Sequence, residues 1–291
     1  RFALWNHECD RIDSLRAGVE REFPGIPQKR VDLSIASVVI QRYLGKDWVE
    51  ANIESPTEGK SGRATKTSSY LRREPETLRE RREQYIRVME LARRIFELEP
   101  EPFAKNLFDN LRRRDLEGAA FEADVIRMLV SLQVVINLRE ERQVKGDDYD
   151  IDLWLKPEIP WAIEVKTKAE ESGYTAKRFL NTLEKARGQL PADGMGGIFM
   201  KIPTLWTEDA DYAKEHHAKV TNFLTNTSRV HAIVLVWDAW TDEDRATGWG
   251  WSRSHQIFKS PNITPNLDQL LTFYQQNWDN PHDLIAPRAP F

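Results

Sequence analysis

The stretch Asp147-Asp148-Tyr149-Asp150-Ile151-Asp152-Leu153-Trp154-Leu155 decides how the chain reads, together with Trp161-Ala162-Ile163-Glu164-Val165-Lys166 beyond Pro157 and Pro160. Apolar and β-branched residues cluster in both segments and the prolines punctuate the gap, so both read as strands. Side chains alternate faces along a strand. Asp150, Asp152 and Trp154 then share one face, and Ile151, Leu153 and Leu155 the other. On the second strand Glu164 and Lys166 point one way and Ile163 and Val165 the other. A hairpin-like return brings Asp150 toward Glu164.

Two carboxylates pressed together at the edge of a core repel and lose solvation, so they need a compensating cation. Lys166 supplies one positive charge, and a bound metal is the natural second partner. Oxygen ligands with no cysteine or histidine nearby point to Mg²⁺ or Mn²⁺ rather than zinc. A Glu-x-Lys triplet alone is weak evidence, because the chain is 30% charged and Glu58-Gly59-Lys60 is a second copy. The competing reading is a surface hairpin with a salt-bridged outer face. An acidic strand, a short connection and a triplet embedded in an apolar strand together favour the metal.

Upstream, Asp115 to about Gln133 has helical periodicity. Ala119, Val125, Ile126 and Leu129 form one stripe, with Glu117, Asp124 and Arg127 largely off it. Glu122 falls within the apolar stripe, where a carboxylate is costly unless it meets an arginine or ligates something.

Helix with Glu122, strand, strand with Asp150, strand with Glu164 and Lys166: this ordered set resembles the PD-(D/E)XK nuclease superfamily, the restriction-endonuclease-like group. The resemblance covers roughly Asp115 to Lys259, about half the chain. In the family pattern the aspartate opens the second core strand, the acid-x-lysine lies on the third, and a glutamate lies on the preceding helix. Tyr149 stands where the pattern has proline. The resemblance implies an α/β fold with a mixed central sheet flanked by helices. It also implies an Mg²⁺- or Mn²⁺-dependent endonuclease acting on nucleic acid, DNA ahead of RNA. Asp150, Glu164, Lys166 and Glu122 would be the catalytic set, and Asp150, Glu164, Glu122 and Asp152 the metal-ligand candidates. Asp150 is preferred over Asp152 because the apolar strand continues beyond it. Several branches place a glutamine on the helix after the third strand, which makes Gln189 a candidate near metal or phosphate; a solvated helix end is the alternative. Lys177, Arg178, Lys185 and Arg187 are candidate nucleic-acid contacts, or an ordinary charged surface.

The rest of the C-terminal half alternates helices with strands, giving a mixed sheet with helices on both faces. Helices are expected over Tyr174–Leu190, over Thr207 (as N-cap) to Thr225, and over Leu267–Trp278. Strands are expected over Gly196–Pro203, Val230–Trp237 and Trp249–Lys259. Residues 1–110 read as an all-helical domain and 111–291 as the nuclease-like one. Val31–Leu44 is a helix stopped by Gly45. Glu76–Leu98 is a long helix with Leu78, Tyr85, Met89, Ala92 and Phe96 inward and Arg79, Arg82, Arg87, Arg93 and Arg94 largely outward. Between them, Glu54–Arg73 is rich in Ser, Thr, Gly, Lys and Arg and reads as a basic flexible loop.

At 291 residues the chain holds one sizeable α/β core plus a helical appendage. A net charge of -4 means any nucleic-acid contact is a local basic surface. Cys9 is the single cysteine, so no intramolecular disulfide forms and a reducing cytoplasm is expected. No apolar run reaches membrane-spanning length and no signal peptide is visible, while a start at Arg1 leaves room for a leader upstream. The ten tryptophans are read mostly as core. Gly59-Lys60-Ser61 lacks the earlier glycine and the strand of a phosphate-binding loop. His216 and His217, adjacent on a helix, make a poor metal pair. Restriction or phage-defence cleavage is favoured by fold-level analogy, from the extra helical domain. The alternative is a catalytically inactive, nuclease-fold subunit for nucleic-acid binding or assembly, and a homodimer is left open.

Overall fold

The computed structural model describes residues 2–54, 70–71, 77–132, 134–140, 144, 146–155, 160–170, 172–192, 194–241 and 250–276. Most of the basic segment expected at 54–73 lies outside the described residues; Tyr70 and Leu71 are buried. The chain divides into two compact units with the boundary between Ser131 and Leu132.

The first unit is helical: α1 (Phe2–Glu22), α2 (Gln28–Leu44), the short α3 (Lys46–Val49) continued by a wider turn over Glu50–Glu54, α4 (Leu78–Leu98), α5 (Ala104–Arg113) and α6 (Leu116–Ser131). Gly45 stops α2 at φ +99°, a backbone conformation that costs glycine least. A capping box starts α4: the Glu80 N–H donates to the Thr77 hydroxyl at 3.1 Å and the Thr77 N–H to Glu80 Oε2 at 3.0 Å.

Two expectations for α4 fail. Arg87 and Arg94, read as outward, are buried, and Leu78, read as inward, is 63% exposed. The reason lies in α6, which is buried all round: Glu117, Asp124 and Arg127 are as covered as its apolar stripe. Arg94 grips Asp124 with two hydrogen bonds, of 2.5 and 2.7 Å. Arg127 reaches Glu90 and Glu97, each at 3.5 Å. Buried charges come in pairs, so arginine marks the packed side of α4 rather than the wet one.

The second unit is α/β. Its elements run β1 (Val135–Leu138), β2 (Ile151–Trp154), β3 (Trp161–Thr167), α7 (Ala176–Gln189), β4 (Met195–Lys201), α8 (Thr204–Thr207), α9 (Ala210–Thr225), β5 (Val230–Thr241), β6 (Gly250–Lys259) and α10 (Pro265–Gln276). The strands lie in chain order in one six-stranded mixed sheet. β1, β2 and β3 are antiparallel neighbours; β3, β4 and β5 are parallel; β6 returns antiparallel to β5. Both parallel connections cross over through helices, as parallel pairs require.

The two sheet faces are covered separately. Ala162, Ile198, Met200, Ile233, Leu235 and Phe258 pack with Phe179, Leu183 and Ala186 of α7 and Val220, Phe223 and Leu224 of α9. On the reverse face Phe199 and His255 meet Tyr274 of α10, with ring centroids 6.2 and 5.6 Å apart. Trp161 and Trp206 are core. The N-cap expected at Thr207 is instead Asp209, whose Oδ1 accepts the N–H groups of Asp211 and Tyr212 at 2.9 and 3.0 Å. Thr207 ends the short helix before it. Among the described residues no helix is long and apolar enough to cross a membrane.

Gly196 fixes how closely β4 approaches its surroundings. A Cβ there would lie 2.5 Å from the Arg229 carbonyl oxygen and 2.8 Å from Leu190 Cδ1. Gly196→Ala is therefore expected to destabilise the protein by about 1–3 kcal/mol, read from the urea midpoint. An unchanged midpoint would refute this reading of the close contact.

Candidate metal centre

Asp150 stands at the head of β2, where its backbone is fixed from both sides. Its N–H donates to the Ile163 carbonyl at 3.1 Å, and its carbonyl accepts the Arg139 N–H at 2.9 Å. Its carboxylate crosses to β3, where Oδ2 accepts the Val165 N–H at 2.7 Å. Glu164 lies in the middle of β3 and is fully buried. The alternation Glu164, Lys166 sets both side chains on the sheet face covered by α7, level with Ile198 and Met200 of β4. The Lys166 ammonium donates to Glu164 Oε1 and is partly exposed. Glu164 Oε2 is buried with no hydrogen-bond donor among the described residues.

The electrostatics follow from that geometry. Burial pushes the Glu164 carboxyl up from its ordinary 4.5 to about 8, the Asp150 charge adds to the rise, and Lys166 offsets part of it. At neutral pH this pocket holds a proton, or a cation in its place. Two carboxylates, one with an orphaned oxygen, fit a hard divalent ion such as Mg²⁺ or Mn²⁺, with water and substrate oxygens completing its shell. Among the described residues no group of three or more His, Cys, Asp or Glu side chains is gathered as a metal cluster. The set is thus a carboxylate pair with a lysine.

The raised pKa carries a stability signature. Between pH 4.5 and about 8 the folded chain holds a proton that the unfolded chain releases. This contribution is complete below the lower value and is lost as pH rises through the upper one. In EDTA this contribution should lower the Tm progressively between about pH 4.5 and about pH 8 and level off above that, and Glu164→Gln should remove that fall. Mg²⁺ should restore Tm most at the alkaline end, because a bound cation competes with the proton. A wild-type Tm insensitive to both pH and Mg²⁺ would contradict the assignment.

The other sequence candidates separate. Asp152 pairs across the ladder with Ala162, and its Oδ1 accepts the Tyr149 hydroxyl at 2.7 Å, with Arg139 Nη1 at 3.6 Å. Arg139 also pairs with Asp147 and lies 4.4 Å over the Tyr149 ring. Asp152 is therefore anchored to a brace around the loop before β2. Gln189 belongs to the same brace: its Nε2 donates to the Asp148 carbonyl at 2.9 Å, and the Asp148 N–H donates to the Gln189 carbonyl at 3.3 Å. It ties the end of α7 to the backbone two residues before Asp150.

Glu122 lies on α6 in the helical unit, buried, with Arg114 Nη1 at 2.9 Å and Asn110 Nδ2 at 3.5 Å. An arginine partner was one of the two outcomes its place in an apolar stripe demanded.

The α7 cations also sort. Arg187 pairs with Glu184 and sits 5.7 Å over the Phe223 ring, turned toward α9. Lys177, Arg178 and Lys185 are exposed. Lys168 is a residue the sequence reading missed. Its signal was available, since Glu164, Lys166 and Lys168 continue one alternation. His216 is committed to the Tyr212 carbonyl at 2.7 Å and to Gln256 at 3.0 Å.

No family model matches the chain, and no curated protein and no solved structure matches it either.

Proposed function

We propose that the second unit is a metal-dependent nuclease of restriction-endonuclease-like architecture that hydrolyses phosphodiester bonds, in DNA ahead of RNA. The observation that carries this reading is Glu164: a fully buried carboxylate beside Asp150, with one oxygen on Lys166 and the other without a donor among the described residues. The order of elements supports it, with Asp150 opening the second strand and Glu164 and Lys166 on the third. Asp150 and Glu164 would hold Mg²⁺ or Mn²⁺. When bound, such an ion lowers the pKa of a coordinated water and offsets charge gathering on the phosphate oxygens. Lys166 orients the attacking water and neutralises the negative charge developing on the phosphate. Arg139, Tyr149 and Gln189 keep the loop that carries Asp150 from shifting. Restriction or phage defence is the setting proposed, by analogy of fold alone.

A second reading keeps the fold and drops the catalysis: a subunit for nucleic-acid binding or assembly. It is favoured by Glu122, whose carboxylate is engaged by Arg114. One experiment separates the two. The protein is incubated with single- and double-stranded DNA and RNA, with Mg²⁺ or Mn²⁺ and then with excess EDTA. The nuclease reading expects cleavage that EDTA abolishes. Folded protein that cleaves none of the four substrates supports the second reading.

A further inference from the structure

Lys168 lies just beyond β3, and its N–H donates to the Lys201 carbonyl at 3.0 Å, which extends the β3–β4 ladder by one step. That continuation places its side chain on the same sheet face as Glu164 and Lys166, the face covered by α7. The segment is pinned on the other face as well. Buried Lys201 lies 3.2 Å from Glu170 and 3.1 Å from Asp238, and Glu170 accepts the Thr204 N–H at 3.2 Å. Lys168 is therefore placed by a rigid base.

On α7, Arg178 and Lys185 are seven residues apart and share a side of the helix. Both act on Lys168: burial lowers its pKa, and the charges of Lys185 and then Arg178 lower it further. Like charges that act on one another normally recruit carboxylates. Among the described residues, none of Lys168, Arg178 and Lys185 has an ion-pair partner, whereas neighbouring Arg187 has Glu184. In a chain of net charge -4 this is a local feature. A cluster of unpaired cations beside a carboxylate pair has the charge pattern of a phosphate track.

We propose that Lys168, Arg178 and Lys185 grip the phosphodiester backbone of a nucleic-acid strand next to the phosphate presented to Asp150 and Glu164. The proposal rests on the nuclease reading for its substrate, and binding can be measured without cleavage. The contacts are to phosphate and carry no base sequence.

The test is fluorescence anisotropy with labelled oligonucleotides of about 20 nucleotides, single- and double-stranded, in EDTA across a salt series. Lys168→Ser, Arg178→Ser and Lys185→Ser are compared singly and together, with Arg187→Ser as the control. Each single change should reduce the slope of log affinity against log salt by about 0.7–0.9. The triple variant should bind at least about tenfold more weakly, and the control should match wild type. Wild-type affinity and slope in the triple variant overturn the proposal, as does an equal loss in Arg187→Ser. Preference for heparin with no displacement by DNA also overturns it. If the triple variant binds normally while wild type cleaves with Mg²⁺, the track fails and the nuclease reading stands. If the track binds as expected but wild type never cleaves, the track stands and catalysis fails.

Discussion

Glu164→Gln is expected to abolish Mg²⁺-dependent cleavage, by about 10³-fold or more, while raising the Tm of the metal-free protein above neutral pH. Those two effects have opposite signs for one reason. In the metal-free protein Glu164 is a fully buried acid whose ionisation is opposed by burial and by Asp150, so it weakens the fold as pH rises from about 4.5 to about 8, and the loss is complete above that. A neutral amide of the same shape removes that penalty. It also removes the charge that binds the cation. A residue with a merely structural role would lose stability along with activity. Asp150→Ala should lose cleavage to a similar extent, with the fold retained, and Lys166→Ala should lose about 10²- to 10³-fold by the size of a single electrostatic contact in a transition state. Asp152→Ala should keep more activity than either carboxylate change, because its oxygen is held by Tyr149 and Arg139. Cleavage kinetics on purified variants with wild-type circular dichroism decide the matter. Full activity in both Asp150→Ala and Lys166→Ala refutes the assignment.

The largest stability effect is expected in the helical unit. Arg94 is 1% exposed and binds Asp124 through two hydrogen bonds, with the Tyr70 hydroxyl accepting a third at 3.4 Å. Burial opposes the guanidinium charge, and Asp124, Tyr70 and Glu90 together more than offset that opposition. Asp124→Ala leaves a buried cation without its main partner, which costs about 3–5 kcal/mol. For a unit of this size the Tm should fall by ~10 °C or more. The double variant Arg94→Met with Asp124→Leu should recover much of that loss, since removing both charges removes the desolvation cost with them. A double variant as unstable as Asp124→Ala would show that packing, not charge, sets the penalty. Glu90, Glu97 and Arg127 lie in the same network, so they are left unchanged in this comparison.

How legible the site was in the sequence depends on the range of the signal. Period-two alternation is local, and it correctly put Glu164 and Lys166 on one face and Ile163 and Val165 on the other. The prolines and the apolar runs correctly marked β2 and β3 as neighbours. The same alternation extended by two residues would have found Lys168. The preference for Asp150 over Asp152 was argued from strand length alone. Strand length does not reveal the Tyr149 and Arg139 contacts that anchor Asp152. No pattern within a strand announces a partner on β1 or in the preceding loop.

The helical unit shows the opposite case. Period-three-and-a-half patterning treats every charged residue as solvent-facing, and so it put Arg87 and Arg94 outside and Leu78 inside. The pattern fails where charges on two helices pay one another's desolvation. A helix buried all round, as α6 is, has no wet face for the pattern to find. Glu122 falls between the two cases: its place in an apolar stripe marked it as a residue needing a partner, and the fold supplied Arg114 eight residues upstream.

By itself, then, the sequence determined the succession of strands and helices along the second unit, the alternation that sets a glutamate and a lysine side by side, and the change from helices to a mixed α/β sheet. Tertiary structure alone decided that Glu164 is buried with an oxygen left without a donor among the described residues, that Asp152 is tied to Tyr149 and Arg139, and that Lys168, Arg178 and Lys185 have no ion-pair partner among those residues. Alternation and helical period are properties of the local backbone and can be read from neighbours in the chain. Desolvation and charge pairing depend on which distant groups the fold brings within a few ångströms, and no local period encodes that.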